Sequence, residues 1–285
     1  METNKIGRRF EGKVAIVTGA STNPGIGTAS ARRLALEGAS VVMNARNETR
    51  LLATVDSLRS EGLTVVACSG SAADNNVSES LVDTALTTFG RIDVLVNTVG
   101  GVPFVGSALD ITEDAYMATI SLNTWPALAL IQAAMRNGLA EGGGSVVNIS
   151  SGSPLKTTPS MAAYAAAKSA LNALTRTLAN DLGPRGVRVN AVSPGLTRTE
   201  ATKDMWTADN GEAAASRMLL GRLPEAEDIA AAVAFLSSHE ARAITGVLLD
   251  VDGGNHVDSG SWSPFARDAI GQPGAASSAA GSRTT

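Results

Sequence analysis

KVAIVTGASTNPGIGTASARRLALEG, residues 13–38, is the stretch that decides the fold of this chain. Residues 13–18 form a short apolar run typical of a buried β-strand, and residues 29–38 have helical apolar spacing that ends at a glycine. Between them lie Gly19, Gly25 and Gly27. Glycines at such a turn let the backbone approach a pyrophosphate at the start of a helix. The stretch predicts a dinucleotide-binding turn or, alternatively, only a tight strand-to-helix connection.

The same alternation continues through the chain and favours the dinucleotide-binding interpretation. Further apolar runs predict strands at 40–45, 63–68, 92–97, 145–150, 187–193 and 246–251. Helical patterns fall near 48–61, 75–89, 112–138, 160–182 and 225–238. Apolar strands that alternate with helices form parallel sheets covered on both faces. The predicted fold class is therefore α/β: a Rossmann-like doubly wound parallel sheet of about seven strands in a single domain.

The pattern also predicts the chain's organisation. Residues 1–11 read as a polar leader, 12–257 as the α/β domain with an irregular segment at 197–223, and 258–285 as a tail. The small, polar end of the tail is predicted to be disordered. Trp262 and Phe265 are its exceptions and could anchor it on a neighbouring surface.

Composition limits the possible partners. A net charge of −4 argues against nucleic-acid and membrane surfaces, since both favour basic patches. One cysteine, Cys68, cannot form an internal disulfide, and only His239 and His256 are available beside it, so no metal site is expected. The N-terminus shows no signal-peptide pattern. We expect a cytoplasmic protein that acts on a small molecule.

The end of the second strand predicts the choice of dinucleotide. An acidic side chain there would bind the ribose hydroxyls of NAD, but the chain has Ala45 followed by Arg46. A guanidinium is suited to a 2′-phosphate, so NADP(H) is favoured over NAD(H). The alternative is that Arg46 is a solvated arginine at a helix start.

Tyr164 and Lys168 stand four residues apart in MAAYAAAKSAL, although the chain has only two tyrosines and five lysines. On a helix they share one face. An ammonium beside a phenol favours the phenolate, and so would lower the tyrosine pKa towards neutrality. The alternative is a buried tyrosine beside a surface lysine. Ser151, thirteen residues before Tyr164, follows the fifth strand, where ligands bind in open parallel sheets.

From about Gly12 to Val257 the chain resembles the classical type of the short-chain dehydrogenase/reductase family. The motifs that carry the resemblance are T18-G19 with G25-I26-G27, N97-T-V-G100, S121-L-N123, N148-I-S-S151, Y164-AAA-K168, V189-N190 with P194-G195, and D252-G-G254.

The resemblance implies that Asn123, Ser151, Tyr164 and Lys168 are catalytic. Tyr164 would be the general acid or base, and Ser151 would hold the carbonyl oxygen. Lys168 would bind the nicotinamide ribose, and Asn123 would hold a water behind it. The cofactor-binding residues it implies are Gly19, Ser21, Gly25, Ile26, Gly27, Arg46, Ser71, Asn97, Gly100, Tyr164, Lys168, Pro194, Gly195 and Thr197.

Three positions differ from the family pattern. Five residues separate Gly19 from Gly25 where three are usual, so we expect this loop to bulge outward. Thr98-Val99 replace the usual Asn-Ala, and Gly70 stands where an acidic residue is usual. Asp74 is predicted to be a helix N-cap.

The implied activity is NADP(H)-dependent interconversion of a carbonyl and a secondary alcohol, as in 3-oxoacyl reductases or steroid and sugar alcohol dehydrogenases. The segment 197–223 would be the substrate lid. Apolar residues there and in the loops after the fourth and fifth strands favour a hydrophobic or neutral ketone, unless they only pack the lid or a subunit contact. They are Val102, Pro103, Phe104, Leu155, Met161, Met205, Trp206 and Met218.

A homotetramer, or otherwise a dimer, is implied as well. Two rival functions remain: a non-catalytic NADP(H) sensor or regulatory module, and a dehydratase or epimerase. Enzymes of the second kind belong to a longer branch of the family than this chain.

Overall fold

The computed structural model describes residues 7–139, 143–156 and 158–257. The seven strands are β1 (Val14–Val17), β2 (Ser40–Ala45), β3 (Val65–Ser69), β4 (Val94–Asn97), β5 (Gly144–Ile149), β6 (Val187–Pro194) and β7 (Leu248–Val251). The seven α-helices of the described residues are α1 (Ile26–Leu36), α2 (Glu48–Ser60), α3 (Asn75–Phe89), α4 (Glu113–Arg136), α5 (Ala162–Leu182), α6 (Glu212–Ala215) and α7 (Ala226–Ser237).

The strands form one parallel sheet in the order β3-β2-β1-β4-β5-β6-β7, which confirms the predicted fold class. The chain runs outward from β1 to β3 and then crosses back to place β4 on the other side of β1. Ligands of open α/β sheets bind in the crevice at the carboxyl ends of the strands where the order reverses. In this chain that crevice lies between β1 and β4.

Successive side chains along a strand enter two separate cores, as the alternation of a pleated strand requires. Ala15 and Val17 of β1 pack with α1, α2 and α7, whereas Val14 and Ile16 pack with α3, α4 and α5. Both faces of the sheet are therefore covered. None of the helices in the described ranges combines the length and the apolar character needed to cross a membrane.

Most element boundaries lie within two residues of the sequence prediction, and two parts of the chain differ more. Helix α1 begins at Ile26 rather than near residue 29, because Gly25 is its extended N-cap (φ −163°, ψ 141°). The segment 197–223 is not wholly irregular: it contains a 3₁₀ helix at Glu200–Met205 as well as α6.

The end of the predicted leader also belongs to the folded domain. The Phe10 side chain is 2% exposed and packs in the first core. Its backbone N–H donates to Glu37 O at 2.9 Å. The buried Glu37 carboxylate pairs with both Arg9 and Arg33, and these hydrogen bonds outweigh burial and lower its pKa. The tail 258–285, with Trp262 and Phe265, lies outside the described residues.

Candidate active site

The glycine turn after β1 is packed too closely to admit side chains at Gly19 and Gly27. A Cβ atom at Gly19 (φ +64°) would lie 2.5 Å from Thr98 Oγ1. A Cβ atom at Gly27 would overlap the carbonyl oxygen of Gly19. Thr98 is held in place because its hydroxyl donates to Thr18 O, while its own N–H donates to Thr18 Oγ1 at 3.1 Å. The start of α1 therefore lies directly against the end of β1, as a dinucleotide-binding turn requires.

The two extra residues of this turn face solvent. Asn23 and Pro24 are exposed, which agrees with the predicted bulge, whereas Gly25 is buried. A Cβ atom at Gly25 would overlap Thr22, so the bulge folds back tightly before α1 begins. Ser21 and Ile26 are half-buried on either side of it.

The carboxyl end of β2, beside β1, presents one cation. Ala45 is buried as the last residue of the strand, and Arg46 is the exposed residue that follows it. Asn47 caps α2 by accepting a hydrogen bond from the N–H of Arg50 at 2.9 Å. Among the described residues, no hydrogen bond or ion pair engages the Arg46 side chain.

The loop after β3 contains the predicted helix cap. Asp74 accepts a hydrogen bond from Asn76 N at 2.9 Å, which confirms its role as the N-cap of α3. Gly70 (φ +138°) is pressed against Val77, where a Cβ atom would lie 2.6 Å from a methyl carbon. Ser71 follows it and is half-buried. An acidic side chain at position 70 would therefore be sterically excluded.

Asn123, on α4, is joined to the loop after β4. Its side-chain N–H₂ donates to Gly101 O at 2.8 Å and Thr119 O at 2.9 Å, and its Oδ1 accepts from Gly101 N at 3.1 Å. A Cβ atom at Gly100 would lie 2.6 Å from Asn123 Oδ1 and 3.0 Å from Lys168 Nζ. Gly100 thus lets Asn123 and Lys168 approach the same point.

Lys168, on α5, is 3% exposed, and its ammonium donates to Ile149 O at the end of β5 over 2.9 Å. Burial lowers the pKa of Lys168 from 10.5 to about 8. The charged form is therefore costly inside the protein.

Tyr164 and Ser151 lie beside this lysine. Burial raises the pKa of Tyr164, and a hydrogen bond with Ser151 lowers it by a smaller amount. The sequence analysis predicted that Lys168 would lower the pKa of Tyr164. The structure raises this pKa, so the predicted direction is wrong. The ring is desolvated, while Lys168 Nζ lies 5.7 Å from the ring centroid and donates to a carbonyl instead. Ser151 Oγ lies 3.1 Å from both Ser153 Oγ and Ser153 N.

Replacing Lys168 by methionine should change how stability depends on pH. Below about pH 8 the lysine is ionised both folded and unfolded, and the native state bears the cost of burying the charge. Between about 8 and 10.5 the folded state loses this proton while the unfolded state keeps it, so wild-type stability rises with pH. Relative to Lys168→Met, the wild type should gain about 2 kcal/mol between roughly pH 7 and 9.5. Urea unfolding at both pH values measures this, and a constant difference would contradict it.

The segment after β6 lies against the end of β7. Gly195 N donates to Val251 O at 3.1 Å, and a Cβ atom at Gly195 would lie 2.7 Å from Asp252 Cβ. Pro194 O accepts a hydrogen bond from Gly152 N at 3.0 Å, which ties this segment to the loop that carries Ser151. Thr197 is 2% exposed and donates to Gly195 O at 3.0 Å.

A buried polar chain beneath the site includes residues that the sequence analysis gave no role. Asn97 pairs with Asn148 in the register of β4 and β5 and donates to its Oδ1 at 2.9 Å. Asn148 in turn donates to Thr175 Oγ1 on α5, again at 2.9 Å. The signal in the sequence that could have indicated this chain is the presence of asparagine in two otherwise apolar strands. The chain fixes α5, and with it Tyr164 and Lys168, against the sheet.

The lid, residues 197–223, presents part of the predicted apolar set. Met205 is 60% exposed, and Leu155, in the loop after β5, is exposed as well. Met218, by contrast, is buried against Gly253. Met218 therefore packs the lid against the segment after β7. The half-buried Trp206 lies under the Arg198 guanidinium, 5.0 Å from its carbon to the ring centroid.

Comparison with known proteins agrees with this geometry. A family model described as enoyl-(acyl carrier protein) reductase matches residues 19–256. Dehydrogenase/reductase SDR family member 4 of Caenorhabditis elegans is 37% identical over 87% of this chain and 96% of its own length. L-rhamnose 1-dehydrogenase (NAD(P)(+)) of Azotobacter vinelandii is 40% identical over 86% and 97%. A solved dehydrogenase/reductase from Sinorhizobium meliloti 1021 superposes with a TM-score of 0.80 at 33% identity, over 90% and 99%. The chain belongs to the short-chain dehydrogenase/reductase family, which binds a nicotinamide dinucleotide, and is an oxidoreductase.

Proposed function

We propose that this enzyme reduces a carbonyl to a secondary alcohol, or runs the reverse reaction, with Tyr164 as the proton donor or acceptor. The observation that carries the proposal is the convergence of Asn123, Ser151, Tyr164 and Lys168 at the carboxyl ends of β4 and β5. An ordinary structural tyrosine has no need of a buried ammonium beside it.

The chain's own residues fit a nicotinamide dinucleotide. The side-chain-free turn at Gly19 and Gly27 leaves room for a pyrophosphate at the start of α1. Gly100 lies beside Lys168, and we assign Gly195 and the buried Thr197 to the contacts of the nicotinamide end. When bound, the dinucleotide supplies or accepts the hydride, and the protein supplies position and proton transfer.

Each catalytic group has a separate role in this proposal. The raised pKa of Tyr164 keeps the phenol protonated near neutral pH, so it is ready to donate to a carbonyl oxygen. Ser151 holds the same oxygen by hydrogen bonding. Lys168 binds ribose hydroxyls, and its ammonium favours the phenolate that forms when Tyr164 gives up its proton. Asn123, which is bonded to Gly101, holds this side of the site in place and accepts a relay water beyond Lys168.

NADP(H) is the proposed cofactor because the exposed Arg46 follows a strand end that carries no carboxylate. Ser71, Asn97 and the turn residues Ser21, Gly25 and Ile26 complete the proposed dinucleotide contacts.

A hydrophobic or neutral ketone is the proposed substrate class. Exposed apolar side chains occur on the lid and on the loops at the carboxyl edge of the sheet. They are Val105, Leu109, Leu155, Met205, Leu219 and Leu220. Tyr116, Met117 and Trp125 of α4 are partly exposed as well, which supports a homotetramer or dimer. A cytoplasmic location remains part of the proposal.

The test is NADPH oxidation by the purified protein against ketones, aldehydes, quinones and 3-oxoacyl thioesters, with reverse assays on steroid and sugar alcohols. Turnover that requires Tyr164 supports the proposal. Dinucleotide binding without any turnover across the panel would favour a sensor or regulatory module.

A further inference from the structure

The lengthened glycine turn contacts the lid directly. The backbone N–H of Glu200, the first residue of the lid's 3₁₀ helix, donates to Pro24 O at 2.9 Å. Pro24 is one of the two exposed residues that lengthen the turn. The contact therefore depends on a feature in which this chain departs from the usual three-residue spacing.

Hydrogen bonds connect the first residues of the lid around this contact. Thr199 and Thr202 cap the 3₁₀ helix reciprocally, and Thr202 Oγ1 also donates to Thr197 O at 2.5 Å. Arg198 joins the lid to the start of α7: its N–H donates to Pro224 O at 2.9 Å, and its Nε lies 3.4 Å from a Glu225 carboxylate oxygen. A displacement of Glu200 would therefore be transmitted to the first part of the lid as a unit.

The same guanidinium joins the two halves of the lid. Arg198 Nη1 donates to Asn210 Oδ1 at 3.0 Å, its Nη2 donates to Asn210 O, and its carbon lies over the Trp206 ring. Trp206 and Asn210 are therefore both held by Arg198, which lies two residues before Glu200. The Pro24 contact reaches the apolar residues of the lid through this cluster.

We propose that the Thr22–Gly25 bulge is a positioning element that holds the lid, so that binding of a dinucleotide to the glycine turn also orders the substrate-binding surface. The inference rests on the proposed function for the identity of the dinucleotide. Coupling of this kind is reciprocal: an occupied substrate site tightens dinucleotide binding by the same factor. Because of this coupling, we expect changes at Pro24 and Glu200 to alter substrate affinity, although neither residue contacts a catalytic group.

Glu200→Pro removes the donor with little other change. Proline is tolerated at the first residue of a helix, and the preceding residue, Thr199, already has the extended conformation that proline requires (φ −142°, ψ 165°). Glu200→Ala is the matched control, because it removes the same side chain, which approaches Lys203, but keeps the N–H. Deletion of Asn23 and Pro24 restores the three-residue spacing and removes the acceptor from the other side.

Hydrogen–deuterium exchange of residues 197–223, with and without NADPH, is the first measurement. Without dinucleotide, the lid amides of Glu200→Pro and of the deletion variant should exchange about three- to tenfold faster than those of wild type and Glu200→Ala. NADPH should protect the lid in wild type and Glu200→Ala, and only the glycine turn in the other two. Equal lid exchange in Glu200→Pro and Glu200→Ala would overturn the inference.

Steady-state kinetics on any active panel member give the second measurement. Glu200→Pro should raise the KM of the carbonyl substrate about three- to tenfold with kcat within about twofold, because the lid contact lies outside the proton-transfer groups. A fall in kcat at unchanged KM would contradict a positioning role. If wild type binds neither NADPH nor NADH, the proposed function fails, while exchange in the dinucleotide-free lid still decides whether the bulge holds it.

Discussion

Tyr164→Phe should lower kcat/KM for carbonyl reduction by about 10³-fold or more, while the Kd of NADPH changes by less than about threefold. The phenol beside Ser151 is the group to which the proposal assigns proton donation, and a positioned general acid contributes about 10²–10⁴-fold. The ring itself is kept, so packing against Lys168 and the half-buried surroundings is preserved.

The chain offers a matched control, because its other tyrosine, Tyr116, is 39% exposed on α4. Tyr116→Phe makes the same chemical change away from the site and should leave turnover unchanged. Single-turnover measurement with saturating NADPH separates proton transfer from binding. Retention of most activity in Tyr164→Phe would show that another group supplies the proton.

Arg46→Ala should weaken NADPH binding about 10- to 150-fold and leave NADH binding within about threefold. The guanidinium is exposed and engages no other described group, so a 2′-phosphate would gain a charge-assisted contact of ~1.5–3 kcal/mol that NADH lacks. Because the contact is exposed, the preference should also decline as salt is raised.

Arg176→Ala, which removes an exposed arginine from α5, is the control for the loss of one positive charge. In this control, the affinity for NADPH and for NADH should each change by less than about twofold. Comparable losses of NADPH and NADH in Arg46→Ala would mean that another group binds the 2′-phosphate, and the proposed cofactor preference would then lose its basis.

The order of strands and helices could be predicted because each apolar run is short, and glycine or polar residues separate it from the next amphipathic stretch. The end of α1 and the whole of α3 follow from such signals: a Gly38 stop and an Asp74 cap. The start of α1 could not be predicted in this way, because its N-cap, Gly25, has no side chain to signal it. Phe10 was assigned to the leader because one aromatic residue among charged neighbours has no periodicity to reveal its burial.

The neighbourhood of Tyr164 and Lys168 could be predicted from the sequence, but the direction of the Tyr164 pKa shift could not. The spacing of Tyr164 and Lys168 places them on one helical face, and the structure places them there. The direction of the Tyr164 pKa was predicted wrongly because sequence shows a neighbouring charge but not the amount of water removed from the ring. The Asn97–Asn148–Thr175 chain depends on strand register and helix docking, which are tertiary properties.

The threonine at position 98 has a consequence for engineering. Its hydroxyl is the nearest atom to the space that a side chain would need at Gly19, and it also lies near the space above Gly27, which the Gly19 backbone already fills. Substitutions at 19 and 98 are expected to be non-additive, because a smaller residue at 98 removes the contact that excludes a Cβ atom at 19, whereas position 27 stays blocked by the Gly19 backbone. A mutant library aimed at switching the cofactor should therefore hold all three constant and concentrate on the exposed position 46.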